Sequence, residues 1–166
     1  MRRKLAPVLA LFMLLATTTG VQANTWNRIG SYLRMLKAAG VDALVARDCP
    51  TGLLGAFHEG KQALLMCANN LPDDPSYVWV VLAHESAHVM QFCKGGQLMP
   101  TALLERGMDQ ARRRQPDAFH ELQLYHVSQH HVEAEARLIQ QLPPEQVEAL
   151  FLSLIHISEP TRPSSI

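Results

Sequence analysis

The chain has 166 residues, a length typical of one domain, and its composition of 48% hydrophobic and 18% charged residues is that of a globular protein. Its 15 Lys and Arg side chains balance 15 Asp and Glu side chains, and three of the cations lie together at positions 2–4. A neutral chain of this kind is a poor binder of phosphate backbones, so we expect no nucleic-acid partner.

The first residues have the pattern of a secretory signal peptide. Basic residues at positions 2–4 precede the apolar run Leu5–Ala16, and the small-x-small pattern Val21–Ala23 follows. The apolar run would form about 18 Å of helix, which is too short for a hydrocarbon core of about 30 Å. We therefore predict a signal peptide over residues 1–23 and an exported protein, periplasmic or extracellular, whose mature chain has no membrane span.

The next part of the chain predicts one helix and one hairpin. Between Thr25 and Val45, apolar side chains recur at intervals of three and four, which predicts an amphipathic helix interrupted near Gly40. Two short apolar runs, Leu53–Phe57 and Ala63–Cys67, flank a polar turn. This pattern predicts a small antiparallel β-hairpin or sheet.

Three cysteines, Cys49, Cys67 and Cys93, follow the predicted signal peptide. Disulfides persist in an exported protein, and three cysteines allow one bridge. Their spacing does not choose among the three pairings. No C-x-x-C motif is present, so we expect a structural disulfide rather than thiol chemistry.

The strongest helix prediction lies in the middle of the chain. Asp74 followed by Pro75 is typical of a helix N-terminus, and Gly95-Gly96 is typical of a helix end. The apolar character of the stretch between them predicts a buried central helix. Three further helices are predicted over Thr101–Arg114, Pro116–Gln141 and Glu145–Leu152.

These elements together predict an α+β fold, mainly α-helical, in one domain over residues 24–152. No internal repeat or linker interrupts that range. Residues 153–166 are rich in Ser and Pro and resemble translated sequencing adapter. We expect them to be an artefactual or disordered tail and exclude them from the fold.

The predicted central helix contains the pentad His84-Glu85-Ser86-Ala87-His88, which has the pattern H-E-x-x-H. Residues four apart share a helix face, so both imidazoles can reach one metal ion, and imidazole suits zinc. Glu85 lies about 100° around the helix from His84, where its carboxylate can reach a water beside the metal. Chance would produce the pentad about 0.02 times in a chain of this composition. The motif predicts one zinc ion per chain, with Glu85 as the general base of a hydrolysis.

A catalytic zinc site needs a third protein ligand and leaves the fourth position to water. The metzincin form of the motif requires Gly and His at positions 91 and 94, where this chain has Gln91 and Lys94, so that class is excluded. The candidates are two carboxylates of a later predicted helix, Glu133 and Glu135.

The pentad and the stretch Glu133-Ala134-Glu135-Ala136 together resemble the gluzincin metallopeptidases, in particular small members with a Glu-x-x-Ala motif on the second helix. The resemblance spans about residues 53–141 and implies a zincin-like fold. It also implies that Glu133, rather than Glu135, joins His84 and His88 as a zinc ligand, and that Glu85 is the catalytic base.

The resemblance bears on the surroundings of the site as well. The family commonly carries Asp four residues after the ligand Glu, where it orients a histidine, and this chain has Arg137 there. A sheet edge in zincins commonly pairs with extended substrate backbone, which implies that role for one strand of the predicted hairpin. From helical spacing alone, His130, one turn before Glu133, can reach the same site as an oxyanion donor or an alternative ligand, and Tyr125 is another candidate oxyanion donor.

We therefore expect an exported zinc-dependent metallopeptidase that hydrolyses bonds of a peptide or protein substrate. A second hypothesis is an exported zinc-binding or interaction protein whose site is structural or relict and has no hydrolase activity. A third is zinc-dependent hydrolysis of another amide, such as a cell-wall peptide link. Cleavage of an unbiased peptide library, sensitive to a chelator, separates the first hypothesis from the second.

Overall fold

The structure is a computed structural model that describes residues 17–114 and 129–155. Within these ranges it contains five α-helices and a three-stranded sheet, so the fold is α+β and mainly helical, as predicted. The elements are α1 (Thr17–Ala38), β1 (Asp42–Ala46), β2 (Gly55–His58), β3 (Ala63–Cys67), α2 (Pro75–Lys94), α3 (Thr101–Arg114), α4 (His130–Ile139) and α5 (Pro144–Ile155).

The stretch after Gly40 forms a strand, and the prediction of a helix that resumes there and reaches Val45 is wrong. α1 ends at Ala38, and Gly40 adopts a φ of 85°, in the left-handed region that terminates helices. Strand β1 then pairs in parallel with β3. Over so few residues the apolar spacing fits a helix or a strand, so the neighbouring strand decides the conformation.

β3 is the central strand of the sheet. The predicted hairpin is confirmed, since β2 and β3 pair antiparallel around a single 3-10 turn at Glu59–Lys61. β1 pairs with the other edge of β3 in parallel, so the sheet is mixed and the prediction of a purely antiparallel sheet is wrong. β2 is consequently an edge strand, and it contacts α2.

α2 begins and ends where the sequence predicted. The carboxylate of Asp74 accepts hydrogen bonds from the backbone N–H groups of Ser76 and Tyr77, and Pro75 is the first helical residue. The helix ends at Lys94. It contacts α1, α4, α5, β2 and β3, and its middle is therefore buried.

Aromatic packing joins α1, α2 and α5. The fully buried ring of Tyr32 packs edge to face against Trp79 and Phe151, with ring centroids 5.4 and 5.5 Å apart. Burial of each ring contributes about 2–3 kcal/mol to folding, so this cluster holds α2 in place. Other fully buried side chains of the same core are Leu36, Leu64, Leu82, Met90, Ile139 and Val147.

Several predictions lie partly outside the described residues. The predicted helix Pro116–Gln141 is described only in its second half, as α4, and Tyr125 belongs to the part that is not described. Residues 1–16 of the predicted signal peptide and residues 156–166 of the predicted tail are also outside. The predicted last helix is confirmed as α5. Among the described helices, none has the length and apolar character needed to cross a membrane.

The predicted disulfide is confirmed, and it joins Cys49 to Cys67. The bridge spans 18 residues and ties the loop before β2 to the end of β3. Cys93, on α2, is half-buried and takes no part in it. The disulfide thus closes the loop that contains the edge strand β2.

Replacement of both bridging cysteines, C49A with C67A, should lower the free energy of unfolding by about 3 kcal/mol, because an 18-residue loop loses its closure constraint in the unfolded chain. Urea denaturation under oxidising conditions measures this loss. The control C93A should change the free energy of unfolding by less than about 1 kcal/mol. Equal losses in the two variants would contradict a stabilising role for the bridge.

Candidate metal centre

α2 presents two imidazoles side by side. His84 and His88 are separated by one helical turn, and their Nε2 atoms lie 3.3 Å apart. Both side chains are largely buried, with 15% and 18% of their surface exposed. The two rings are nearly perpendicular, so both Nε2 atoms point at one location in front of the helix.

α4 brings a carboxylate to the same location. Glu133 Oε2 lies 3.5 Å from His84 Nε2, and Glu133 Oε1 lies 3.6 Å from His88 Nε2. Ligand atoms about 2.1 Å from a tetrahedral ion are about 3.4 Å from one another, which matches these separations. Glu133 Oε2 is buried and has no hydrogen-bond partner within the described residues. The group His84, His88 and Glu133 could therefore hold a metal ion.

Glu135, the other candidate ligand, has a different position. Residues two apart on a helix point about 200° away from each other, so Glu135 does not share the direction of Glu133, and it is fully buried. Its carboxylate accepts hydrogen bonds from the backbone N–H groups of Leu98 and Met99, at 2.8 and 2.7 Å, and from Gln91 Nε2 at 2.9 Å. Glu135 thus anchors α4 to α2 and to the segment before α3.

Two glutamine amides orient the imidazoles. His84 Nδ1 is 2.9 Å from Gln140 Oε1, and His88 Nδ1 is 2.9 Å from Gln91 Oε1. An amide oxygen only accepts, so each contact requires an Nδ1–H donor and leaves the Nε2 lone pair available for a metal. The partners of both imidazoles are therefore neutral amides and not carboxylates. Sequence analysis did not identify either glutamine as a partner of a histidine.

The two ligand types carry the protonation states that suit a cation. Burial and the nearby His84 ring lower the pKa of His88, which favours its neutral form. Burial alone would raise the pKa of Glu133, but the neighbouring His84, His88 and Arg137 outweigh it and hold that pKa below its ordinary value. Neutral imidazole and ionised carboxylate are the forms that coordinate metals.

Glu85 lies beside this group but in a more confined environment. Only 8% of its surface is exposed, and burial raises its pKa to about 7, against its ordinary 4.5. The nearby backbone N–H of Phe57 favours the charged carboxylate and partly offsets this rise in pKa. A Cβ added at Gly55 would come within 2.9 Å of Glu85 Cγ, so the glycine lets strand β2 approach the side chain closely. Sequence analysis did not identify Gly55.

Two clefts flank the candidate ligands. The first, which we call the His88 cleft, has a volume of about 640 Å³, and the second, the His84 cleft, about 480 Å³. The His88 cleft is lined by Phe57, Glu59, His88, Gln91, Phe92, Gly95, Gly96, Gln129, Val132 and Glu133. The His84 cleft is lined by Gly52, Leu53, Leu54, Gly55, Tyr77, Val80, Val81, His84, Glu85, Arg137 and Gln140.

The outer edge of β2 runs between the clefts. Leu54 accepts a hydrogen bond from Cys67 N, so the pair Leu54 and Cys67 is hydrogen-bonded across the hairpin. Hydrogen-bonded pairs alternate along an antiparallel ladder, and the backbone groups of Gly55 and Phe57 therefore point away from β3. They lie near Glu85, whose pKa is affected by the Phe57 N–H.

Of the candidate oxyanion donors named from sequence, the structure describes His130 alone. His130, at the start of α4, is half-buried and lines neither of these clefts. Tyr125 is outside the described residues. Arg137 is the cation that lines the His84 cleft, together with His84 and Glu85. From sequence, Arg137 is distinguished only as the residue that stands where the gluzincins commonly have Asp, and its place in this cleft was not predicted.

The variant Gln140→Leu should weaken zinc binding by about tenfold or more, because it removes the acceptor that orients the His84 ring. Competition with a chromophoric chelator measures the affinity. The neighbouring Gln141, whose exposed side chain bonds to the Arg137 carbonyl, gives the matched control Gln141→Leu, expected to stay within about threefold of the parent. Equal affinities in the two variants would rule out this role for Gln140.

The raised pKa of Glu85 should appear in the stability of the metal-free protein. The Glu85 carboxyl binds its proton more tightly in the folded chain than in the unfolded chain. Its contribution to the free energy of unfolding is therefore complete below about pH 4.5 and is lost as the pH rises to about 7. The metal-free Glu85→Gln variant has no carboxyl to ionise and does not show this loss. Its free energy of unfolding should therefore exceed that of the parent by an amount that grows between about pH 4.5 and pH 7, to about 3 kcal/mol. Urea denaturation at several pH values, with chelator, measures the difference; a difference independent of pH would contradict it.

Comparisons with protein-family models, with curated proteins and with solved structures found no match. No relative therefore supplies a ligand set or an activity for this chain. A proposal for its function therefore has to be argued from the geometry of the described residues.

Proposed function

We propose that this chain is an exported zinc-dependent metallopeptidase of gluzincin type. The observation that carries the proposal is the convergence of His84 and His88 from α2 with Glu133 from α4, with ligand atoms 3.3 to 3.6 Å apart. Such a set of two imidazoles and one carboxylate is one of the ligand sets of catalytic zinc, which leaves a position open for water or substrate.

The donor set favours zinc over the common hard cations. Magnesium and calcium take six or more oxygen ligands, whereas this cluster offers two nitrogens and one carboxylate in a compact arrangement. Borderline imidazole ligands suit zinc, copper, iron and nickel, and the near-tetrahedral spacing supports zinc among them. We therefore assign one zinc ion per chain.

When bound, a zinc ion would polarise the carbonyl of the scissile bond and acidify a water. Glu85 acts as the general base that takes a proton from the attacking water and then delivers it to the leaving amine. In the metal-free protein burial raises the pKa of this carboxyl to about 7, and a cation bound beside it would favour the ionised form that acts as a base. The close approach of strand β2 at Gly55 confines the side chain of Glu85 beside the ligand cluster.

The edge of β2 is the proposed platform for substrate. Backbone groups of Gly55 and Phe57 point away from β3, beside Glu85, and an extended peptide can pair with them as an added strand. The other strand implied by the resemblance, β3, is paired on both edges and has no edge to offer. A substrate bound in this way would run from one cleft to the other, past the ligand cluster.

Export is the proposed location, periplasmic or extracellular. The amino-terminal pattern of residues 1–23 is that of a secretory signal, and the Cys49–Cys67 disulfide is compatible with an oxidising compartment.

Purified protein should contain about one zinc per chain and cleave peptides from an unbiased library, with cleavage lost on chelation. Glu85→Gln should keep the zinc and lower kcat by at least about a hundredfold, because the base is gone while the ligands remain. Metal analysis and mass spectrometry of the products measure the two properties.

The control Glu105→Gln changes an exposed carboxylate of α3 and should leave both properties unchanged. Cleavage retained by Glu85→Gln would remove Glu85 from the mechanism. Zinc bound by the parent protein without cleavage of any peptide would favour the alternative of a zinc-binding protein without hydrolase activity.

A further inference from the structure

Three apolar side chains from three elements meet in the His88 cleft. Phe57 comes from β2, Phe92 from α2 and Val132 from α4, and they share the cleft walls with His88 and Glu133. The rings of Phe57 and Phe92 pack edge to face with centroids 5.8 Å apart. The cleft thus combines an apolar surface with two of the candidate metal ligands.

This apolar surface is exposed to solvent in the described structure. Phe92 has 39% and Val132 has 38% of its surface exposed. Scattered exposed apolar residues are common, but a group that lines a concave surface beside a candidate catalytic centre is typical of a ligand site. Burial of such a surface by a ligand would contribute favourable free energy.

The register of β2 directs a substrate side chain into this cleft. Residues directly opposite each other in an antiparallel pair carry their side chains on the same face. A peptide residue that pairs opposite Phe57 therefore places its side chain beside the Phe57 ring, whose side chain lines the His88 cleft. The residue is next to the ligand cluster, and so it lies near the scissile bond.

The charge of the residues that line the His88 cleft limits which substrate side chains can bind there. Glu59, in the turn after β2, lines the same cleft. It is close enough to His88 for its negative charge to interact with that imidazole. The charge of Glu133 would be compensated by the bound cation, so it is Glu59 that makes this cleft unfavourable for an acidic side chain. An edge-to-face ring pair accepts a further ring in the same geometry, which favours aromatic over aliphatic occupants.

We propose that the His88 cleft, through Phe57, Phe92 and Val132, is a subsite for a large apolar side chain, aromatic above all, of the substrate residue beside the scissile bond. This inference rests on the proposed function and names its substrate class: extended peptides with an aromatic residue at that position, and not peptides with an acidic one.

The test uses binding to the zinc-loaded full chain and does not depend on turnover. The probes are N-acetylated hydroxamates of phenylalanine, glycine and aspartate, which bind zinc through the same group and differ only in the side chain. Isothermal calorimetry gives each Kd. The phenylalanine probe should bind at least about tenfold more tightly than the glycine probe, and the aspartate probe more weakly than glycine.

Variants assign this preference to the cleft. Phe92→Ala and Val132→Ser should each reduce the ratio of glycine Kd to phenylalanine Kd to below about three, while the glycine Kd itself stays within about threefold of the parent value. The control Leu103→Ala, an apolar residue of α3 with 49% exposure that lines neither cleft, should keep the full ratio.

The outcomes separate the two proposals. Zinc-loaded protein that binds the three probes equally, or prefers the aspartate probe, overturns the subsite and leaves the proposed metal centre standing. Equal ratios in the parent and in both cleft variants also overturn it. Protein that binds no zinc, or zinc-loaded protein that binds none of the hydroxamates, overturns the proposed function and the subsite together.

Discussion

The packing of α4 against α2 is the interaction on which the site depends. It brings the Glu133 carboxylate to within 3.6 Å of two imidazoles that α2 holds one turn apart. The same packing is secured by Glu135, whose buried carboxylate accepts hydrogen bonds from Gln91 and from two backbone amides before α3. Two carboxylates of one helical turn thus have different tasks, because α4 points one towards the imidazoles and the other into the protein.

Gln91 contacts both the metal-site residue His88 and the buried carboxylate Glu135. Its amide oxygen contacts His88 Nδ1, and its amide nitrogen donates to Glu135 and to the carbonyl of Val132. A shift of α4 relative to α2 would disturb the orientation of His88 and the position of Glu133 together.

With glutamine partners, both imidazoles are oriented by neutral groups. A metal at this site would therefore keep more of its positive charge than one whose histidines are paired with carboxylates.

The environments of Glu85 and Glu133 push their pKa values in opposite directions. Glu85 lies against strand β2, where burial raises its pKa to about 7, whereas Glu133 faces His84, His88 and Arg137, which lower its pKa. Such a separation distinguishes a carboxyl that exchanges protons from one that remains charged and bonds a cation. The close approach of β2 that confines Glu85 depends on the absence of a side chain at Gly55, and the Cys49–Cys67 disulfide ties the same hairpin to the loop before it.

Local patterns in the sequence determined the features that involve neighbouring residues. The pairing of His84 and His88 on one helix face follows from helical periodicity, and the start of α2 follows from Asp74 and Pro75. Tertiary structure alone decided that the stretch after Gly40 is a strand, that Cys49 pairs with Cys67, and that Gln140 orients His84, and it brings Glu133, which the Glu-x-x-Ala spacing favoured, to the imidazoles. These outcomes depend on contacts between residues far apart in the chain and on the rotation of α4 against α2, which no short-range spacing encodes.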